Sequence, residues 1–387
     1  MAAIDAPHET AVKARRALTR RLIDVVGMPE SLVSNQERRV ASDLLFDILR
    51  DSDADLRRKA ALRFVHLNQG PKNVLRMLAR DEISIARPLL KDCKSFDSVD
   101  LLHIISGVTQ EHRLLIAQRD HVDPVVAEAL AAHAEHPVIE ALLRNANAAL
   151  PDTAIERIVD MSRGAAKYVG PLLKRPEMRP ANAFLMFWWA SHDERIQILR
   201  RFAIERNVLL ETAADLFRTA AEEGWTDPLV LRTLMLIERR QRDRFAISES
   251  GFESLERAIE DAAADLTPER IEEISILSGV RPATGALIFK DHGAEALAVF
   301  CKATGLKRNF YQLLWRGLRG AEAPARQEEL EAGTFAFDIL SPPKAQTVLR
   351  YWDWAIGGYS SLNLFDMNAM AAEMFGGAPA NDSTLAV

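Results

Sequence analysis

The chain has 387 residues, of which 48% are hydrophobic and 27% charged, and its net charge is -6. That length suits two or three domains with sizeable cores, and the composition excludes disordered, collagenous and disulfide-scaffold classes. The two cysteines, Cys93 and Cys301, lie far apart, so neither a disulfide framework nor a cysteine-built zinc site is available.

The first residues lack the basic-then-apolar pattern of a signal segment. From Lys13 to Val26 the spacing predicts a basic amphipathic helix, with Leu18, Leu22, Val25 and Val26 apolar and Lys13, Arg15, Arg16, Arg20 and Arg21 charged. Such a helix suits a membrane surface. A capping helix over residues 1–29 needs no extra assumption and is the preferred reading. Helical spacing then recurs nearly everywhere: Leu44, Leu45, Ile48 and Leu49 share one face, followed by Leu56, Ala60, Phe64 and Leu67. Proline marks helix starts at Asp123-Pro124, Asp227-Pro228, Thr267-Pro268 and Ser341-Pro342, each after a residue able to cap, and at His136-Pro137 and Arg179-Pro180. Strict apolar-polar alternation is almost absent. The chain reads as all-α.

Arginines at 57, 58 and 63 with Lys59 make a basic face, and Arg57 and Arg63 are candidate partner contacts. Asp53 and Asp55 precede Arg57 and Lys59 by four residues, which favours intrahelical pairing instead. Five histidines fall between 103 and 136 (His103, His112, His121, His133 and His136), with Glu135, Asp120 and Asp123 nearby. Nothing in their spacing requires a metal, and surface or capping roles account for them. The segment Ala183–Ala190 is apolar on every side, which predicts an interior helix. The alternative sets Trp188 or Trp189 on a binding wall as a partner anchor. It is also the densest apolar run, well short of the ~18–20 residues of a membrane span.

Past the charged stretch 238–244 the composition shifts. Residues 251–387 carry 12 Lys and Arg against 19 Asp and Glu, whereas residues 1–250 carry 37 against 36. Aromatics also concentrate late, among them Tyr311, Trp315, Phe335, Phe337, Tyr351 and Trp352. We therefore divide the chain into a helical-repeat array over 30–245, a C-terminal helical domain over 246–358, and a mostly disordered tail over 359–387. Within the second domain, Thr267–Lys290 reads as helix, Gly279-Val280 turn, helix, close to a helix-turn-helix. Arg281, Thr284 and Lys290 would then be its nucleic-acid contacts. Arg281-Pro-Ala-Thr-Gly is a poor base-reading set, and the acidic surroundings oppose phosphate, so a helical hairpin is preferred.

Self-comparison shows one junction three times: Arg80-Asp-Glu-Ile, Arg119-Asp-His-Val and Arg175-Pro-Glu-Met, 39 and then 56 residues apart. A spacing near 40 is that of HEAT-like or armadillo-like pairs, which bury their faces only by stacking. Together with Asn145–Leu150, Ile274–Val280 and Cys301–Leu306, these junctions resemble a bacterial family of unknown function with HEAT-like helical repeats, over about residues 40 to 355. The resemblance implies a fold and no activity, so no functional residue is carried over.

No phosphate-binding glycine loop, dinucleotide fingerprint, zinc-protease motif or nucleophile elbow occurs. Ser341-Pro-Pro-Lys344 matches S-x-x-K only formally, since an N-cap with proline behind it explains the string. The expectation is a cytoplasmic, non-enzymatic adaptor or scaffold for another protein, with no cofactor, no metal and no catalytic residue. Two alternatives are a nucleic-acid-binding regulator acting through 267–290, and a HEAT-like DNA glycosylase using Trp188 or Trp189 with Asp193.

Overall fold

The computed structural model describes residues 6–28, 32–67, 70–204, 250–252, 254–263 and 266–356. Among them helix follows helix and no strand forms, as the spacing predicts, apart from an isolated parallel bridge between Val122 and Ala148. No described helix is long and apolar enough to cross a membrane. Two compact units emerge, Met1–Met161 and Ser162–Val387. The expected junction at 245/246, the Asp227-Pro228 helix start and the tail over 359–387 lie outside the described residues.

The first unit contains α1 (Ala6–Gly27), α2 (Asn35–Arg50), α3 (Ala54–Phe64), α4 (Lys72–Ala79), α5 (Ile83–Asp92), α6 (Ser98–Ile105), α7 (Gln110–Ala117), α8 (Pro124–Ala132) and α9 (His136–Arg144). α10 (Asp152–Gly164) runs across the division. Helices pack on the next-but-one element: α1 on α3, α3 on α5, α5 on α7 and α7 on α9 make one row, and α2, α4, α6 and α8 the other. The buried residues explain the stacking. Val74, Leu75, Leu78 and Ala79 in α4 follow the same i, i+1, i+4, i+5 pattern as Ile85, Ala86, Leu89 and Leu90 in α5 and Val138, Ile139, Leu142 and Leu143 in α9. That double stripe is wide enough to meet two neighbours at once. Each fully buried aliphatic side chain contributes about 1.5–3 kcal/mol.

Helix starts at Lys72, Ser98 and Pro124 recur every 26 residues. The 39-residue spacing of the arginine junctions is therefore one and a half repeats. Arg80 closes α4, in one row, whereas Arg119 follows α7, in the other. The first two junctions do one job, satisfying the carbonyls a helix leaves open at its C-terminus. Arg80 donates to the His103 carbonyl in the last turn of α6, whereas Arg175 at the third junction pairs with Glu177 at 2.6 and 3.1 Å. Arg119 donates to the carbonyls of Leu90 at 2.6 Å and Cys93 at 2.7 Å. Asn145 donates to those of Ala117 at 3.0 Å and Arg119 at 2.7 Å, one repeat on. Arg201 does the same in the second unit, to Leu173 and, at 2.9 Å, to Arg175. The Asn145–Leu150 segment is then held by Ala149 N–H donating to the Val122 carbonyl at 3.0 Å. Arg119→Ala removes a charged donor from open carbonyls, and an unfolding free energy lower by about 1.5–3 kcal/mol is expected in urea titration.

Charged residues that looked available are spent between helices. Arg57 pairs not with Asp53 but with Asp81 before α5, at 2.5 and 3.2 Å, and with the Ser52 carbonyl. Asp53 is engaged as the N-cap of α3, accepting from Leu56 N–H at 2.8 Å and from Arg16 of α1. Lys59 does pair with Asp55, at 2.7 Å. Arg63 is exposed and reaches Asp24 of α1. Arg113 of α7 holds Glu135, ahead of α9, much as Arg57 holds Asp81. His112 is buried between Thr109 and the Asp81 carbonyl, and His121 meets the Asp123 carboxylate at 2.9 Å. Asp123 precedes Pro124 as expected, yet its carboxylate takes Ser98 and His121 rather than capping α8.

The second unit holds α11 (Val169–Lys174), α12 (Pro180–Met186) and α13 (His192–Phe202), then α14 (Leu255–Ala262), α15 (Pro268–Leu277), α16 (Pro282–Lys290), α17 (Glu295–Ala303), α18 (Arg308–Arg319), α19 (Gln327–Ile339) and α20 (Pro342–Ile356). Its central helix is α17, buried from Glu295 through Cys301 and wrapped by α16, α18, α19 and α20. The apolar run from Ala183 is helical only to Met186, after which the chain turns. It still belongs to the interior: Phe184, Phe187 and Trp188 pack on Tyr351 and Trp352 with ring centroids 4.9–5.1 Å apart. Ser341 caps α20, accepting weakly from Lys344 N–H at 3.4 Å.

The 267–290 segment does form helix, turn and helix, with Gly279 at φ 71° in the turn. The second helix is buried over most of its length. Thr284, Gly285, Leu287, Ile288 and Phe289 are buried, so Thr284 has no surface for a nucleic acid, while Arg281 and Lys290 flank it exposed. The buried residues pack against α15, α17 and α20. Asp353 of α20 lies beside this hairpin and accepts from the Arg281 N–H at 3.1 Å. Burial pushes its carboxyl above the ordinary range, against hydrogen bonds that lower it. The native state thus holds that proton more tightly than the unfolded chain, whose Asp titrates near ~3.9. Stability owed to Asp353 falls as pH rises from there through the raised value. Urea titrations from pH 4 to 7 should show wild-type stability falling relative to Asp353→Asn as pH rises; a constant difference would contradict this.

Candidate functional site: the cleft between α13 and α19

Ser191 and Glu194 start α13 with a capping box, the Ser191 N–H and Oγ donating to Glu194 at 2.9 and 2.8 Å. This fixes His192 in the first turn and Arg195 one turn later. Arg195 enters the interior and grips Asp291, at the end of α16, with two bonds of 2.6 and 2.8 Å. A third bond of 3.2 Å goes to Glu295, the first residue of α17, and the guanidinium lies 4.9 Å over the Phe187 ring. The other Glu295 oxygen faces His192 Nδ1. Arg195, Asp291 and Glu295 are 8%, 5% and 3% exposed, whereas His192 is 46% exposed. Burial works against the Arg195 charge, but Asp291 and Glu295 outweigh it and hold the guanidinium above its ordinary range. Two carboxylates against one guanidinium leave a negative excess, which the imidazole meets from the solvent side.

Gly293 permits this crowding. A Cβ there would stand 2.2 Å from Glu295 Oε2 and 2.3 Å from Arg195 Nη1. Arg319 of α18 closes the loop from outside, donating to the carbonyls of Asp291, His292 and Gly293 at 2.8–3.2 Å and pairing with Glu329 of α19.

Above the cluster, α13 and α19 frame a cleft of 660 Å³ whose walls include His192, Glu328, Glu331 and Phe335. A second hollow of 510 Å³ continues from it, sharing His192 and Phe335 and adding Gln197 and Arg200. On α19, Glu328, Glu331 and Phe335 are spaced i, i+3, i+7 and so share one face, as do His192, Ile196 and Arg200 on α13. Phe335 is 42% exposed, and Arg200 lies 4.9 Å over its ring. Glu329 is paired with Arg319 and Arg326, but Glu328 and Glu331 have no ion pair among the described residues. A carboxylate-oriented imidazole is a competent proton carrier. However, among the described residues no hydroxyl or thiol is hydrogen-bonded to His192, and no group of three His, Cys, Asp or Glu side chains is placed to hold a metal. The arrangement is suited to holding a ligand through charge and an aromatic face.

Of the candidate site residues singled out in sequence, Asp193 alone borders this cleft. Trp188 is buried one turn of chain away in the aromatic core, and Trp189 donates to Ser162 at 3.0 Å. Arg57 and Arg63 belong to the first unit, and Arg281, Thr284 and Lys290 to the α15–α16 hairpin. Phe335 was noted only among the late aromatics, and His192, Arg195, Asp291 and Glu295 were not read as site residues, because Arg195 and Asp291 are 96 residues apart. One local signal exists: Glu295 heads an otherwise apolar helix, Glu-Ala-Leu-Ala-Val-Phe-Cys, where a carboxylate must find a partner.

Fold and cleft together define an all-α protein of stacked helices joined to a unit with an internal charge cluster. Residues 85–350 match the DUF2336 family, described as an uncharacterised protein conserved in bacteria, and the chain belongs to that family. No curated protein and no solved structure matches it.

Proposed function

We propose that this chain is a non-enzymatic adaptor that holds a segment of another protein in the α13–α19 cleft. The observation that carries this reading is the pairing of a half-exposed Phe335 with unneutralised charge over a rigid, buried ion cluster. Anchoring aromatics ringed by polar groups are the energetic centres of protein interfaces, and a floor locked by charge-assisted bonds limits the entropy lost on binding. The stacked helices of the first unit supply a HEAT-like repeat surface of the kind that extended partners use.

A photo-crosslinking residue replacing Gln197, with Asn309 on the exposed start of α18 as control, tests this in native cells. The expected result is one stoichiometric partner protein captured at 197 and absent at 309. Equal capture at both positions, or none at 197, would sink the reading.

A further inference from the structure

We infer that the cleft reads charge order, taking a partner segment that presents a basic, then an apolar, then an acidic side chain. This rests on the protein-binding reading above and goes beyond it by naming the partner's chemistry.

The two hollows share His192 and Phe335 but differ in sign. At one end Glu328 and Glu331 face the opening without a counter-ion among the described residues. The other carboxylates there are spent, Glu295 on Arg195 and His192, and Glu329 on Arg319 and Arg326. At the other end Arg200 and Arg201 stand against Asp193 alone. Arg201 bonds helix-end carbonyls, which use its hydrogens without cancelling its charge. Arg200 rests on Phe335, a contact that leaves its charge open to a carboxylate.

Phe335 therefore separates a negative end from a positive end. The stripes from His192 to Arg200 and from Glu328 to Phe335 cover about two helical turns, roughly 10–12 Å. An amphipathic segment whose cation and anion lie that far apart, with an aliphatic or aromatic side chain between them, meets all three features at once. A segment with the charges reversed meets like charge at both ends, and such juxtaposition costs several kcal/mol across an interface. Orientation as well as affinity is thereby selected.

The test is a display library of random dodecapeptides panned on the full chain and, in parallel, on the triple variant Glu328→Lys, Glu331→Lys, Arg200→Glu. These three side chains are exposed, so the variant should melt with the wild type, which a thermal scan checks. Wild type is expected to enrich basic–apolar–acidic peptides and the variant the reverse order, each binding the other protein at least about ten-fold more weakly. Phe335→Ala should weaken both sets. Failure of any sequence to enrich, or enrichment of the same peptides on both proteins, overturns the inference. Crosslinking at 197 decides separately: a captured native partner with no charge order in the selected peptides leaves the adaptor reading standing and removes this one.

Discussion

Arg195→Met is expected to lower the unfolding free energy by about 3–5 kcal/mol, read from urea titration at neutral pH. The side chain pairs with both Asp291 and Glu295, and removing it leaves two desolvated carboxylates whose one remaining ion-pair partner among the described residues is the half-exposed His192. Coulomb attraction among such groups merely offsets their desolvation, so the large effect comes from the stranded charges and not from the lost bonds. Two companions separate these contributions. Arg195→Lys keeps the charge but not the two-pronged grip on Asp291, and should fall between wild type and the methionine variant. Arg195→Met combined with Asp291→Leu and Glu295→Gln removes the stranded charges and should recover much of the loss. A methionine variant within 1 kcal/mol of wild type would mean that the cluster is solvated and does not organise the cleft.

Gly285→Ala is expected to destabilise the α15–α16 hairpin despite alanine's better helix propensity. A Cβ at 285 would sit 1.8 Å from Ser275 Oγ and 2.7 Å from Ser275 Cβ, distances at which the helices must separate. Ser275 cannot swing aside without cost, since its buried hydroxyl donates to the Ile271 carbonyl at 2.6 Å. Overpacking of this kind costs about 1–3 kcal/mol, against a propensity gain of about 1 kcal/mol. The measurement that decides is the double variant Gly285→Ala with Ser275→Gly. It should regain most of the loss if the close approach is the cause. Equal stability of Gly285→Ala and wild type would show that the hairpin has room to open.

How far the sequence could be read follows from how far apart its partners lie. Helix after helix was legible because apolar spacing and proline starts are local, and Pro124, Pro180, Pro268, Pro282 and Pro342 all open helices. The arginine junctions were legible as a recurrence, but their register was not, since Arg80 and Arg119 do the same capping work from different rows. Intrahelical spacing predicted Asp53–Arg57, and the competing demands of an N-cap and of Asp81 across the groove took both residues elsewhere. Thr284 was a candidate nucleic-acid contact from its place at the start of the second helix; packing of α16 against three helices buried it.

By itself, then, the sequence determined the all-α class, the helix starts marked by proline, the likeness to a bacterial helical family and the apolar character of 183–190. Tertiary structure alone decided the 26-residue stacking register, the central place of α17, and the union of His192, Arg195, Asp291 and Glu295 beneath the α13–α19 cleft. The physical reason is that hydrophobic periodicity repeats within a dozen residues and leaves a trace. A buried charge is placed instead by partners 96 to 103 residues away, whose pairing leaves no local pattern.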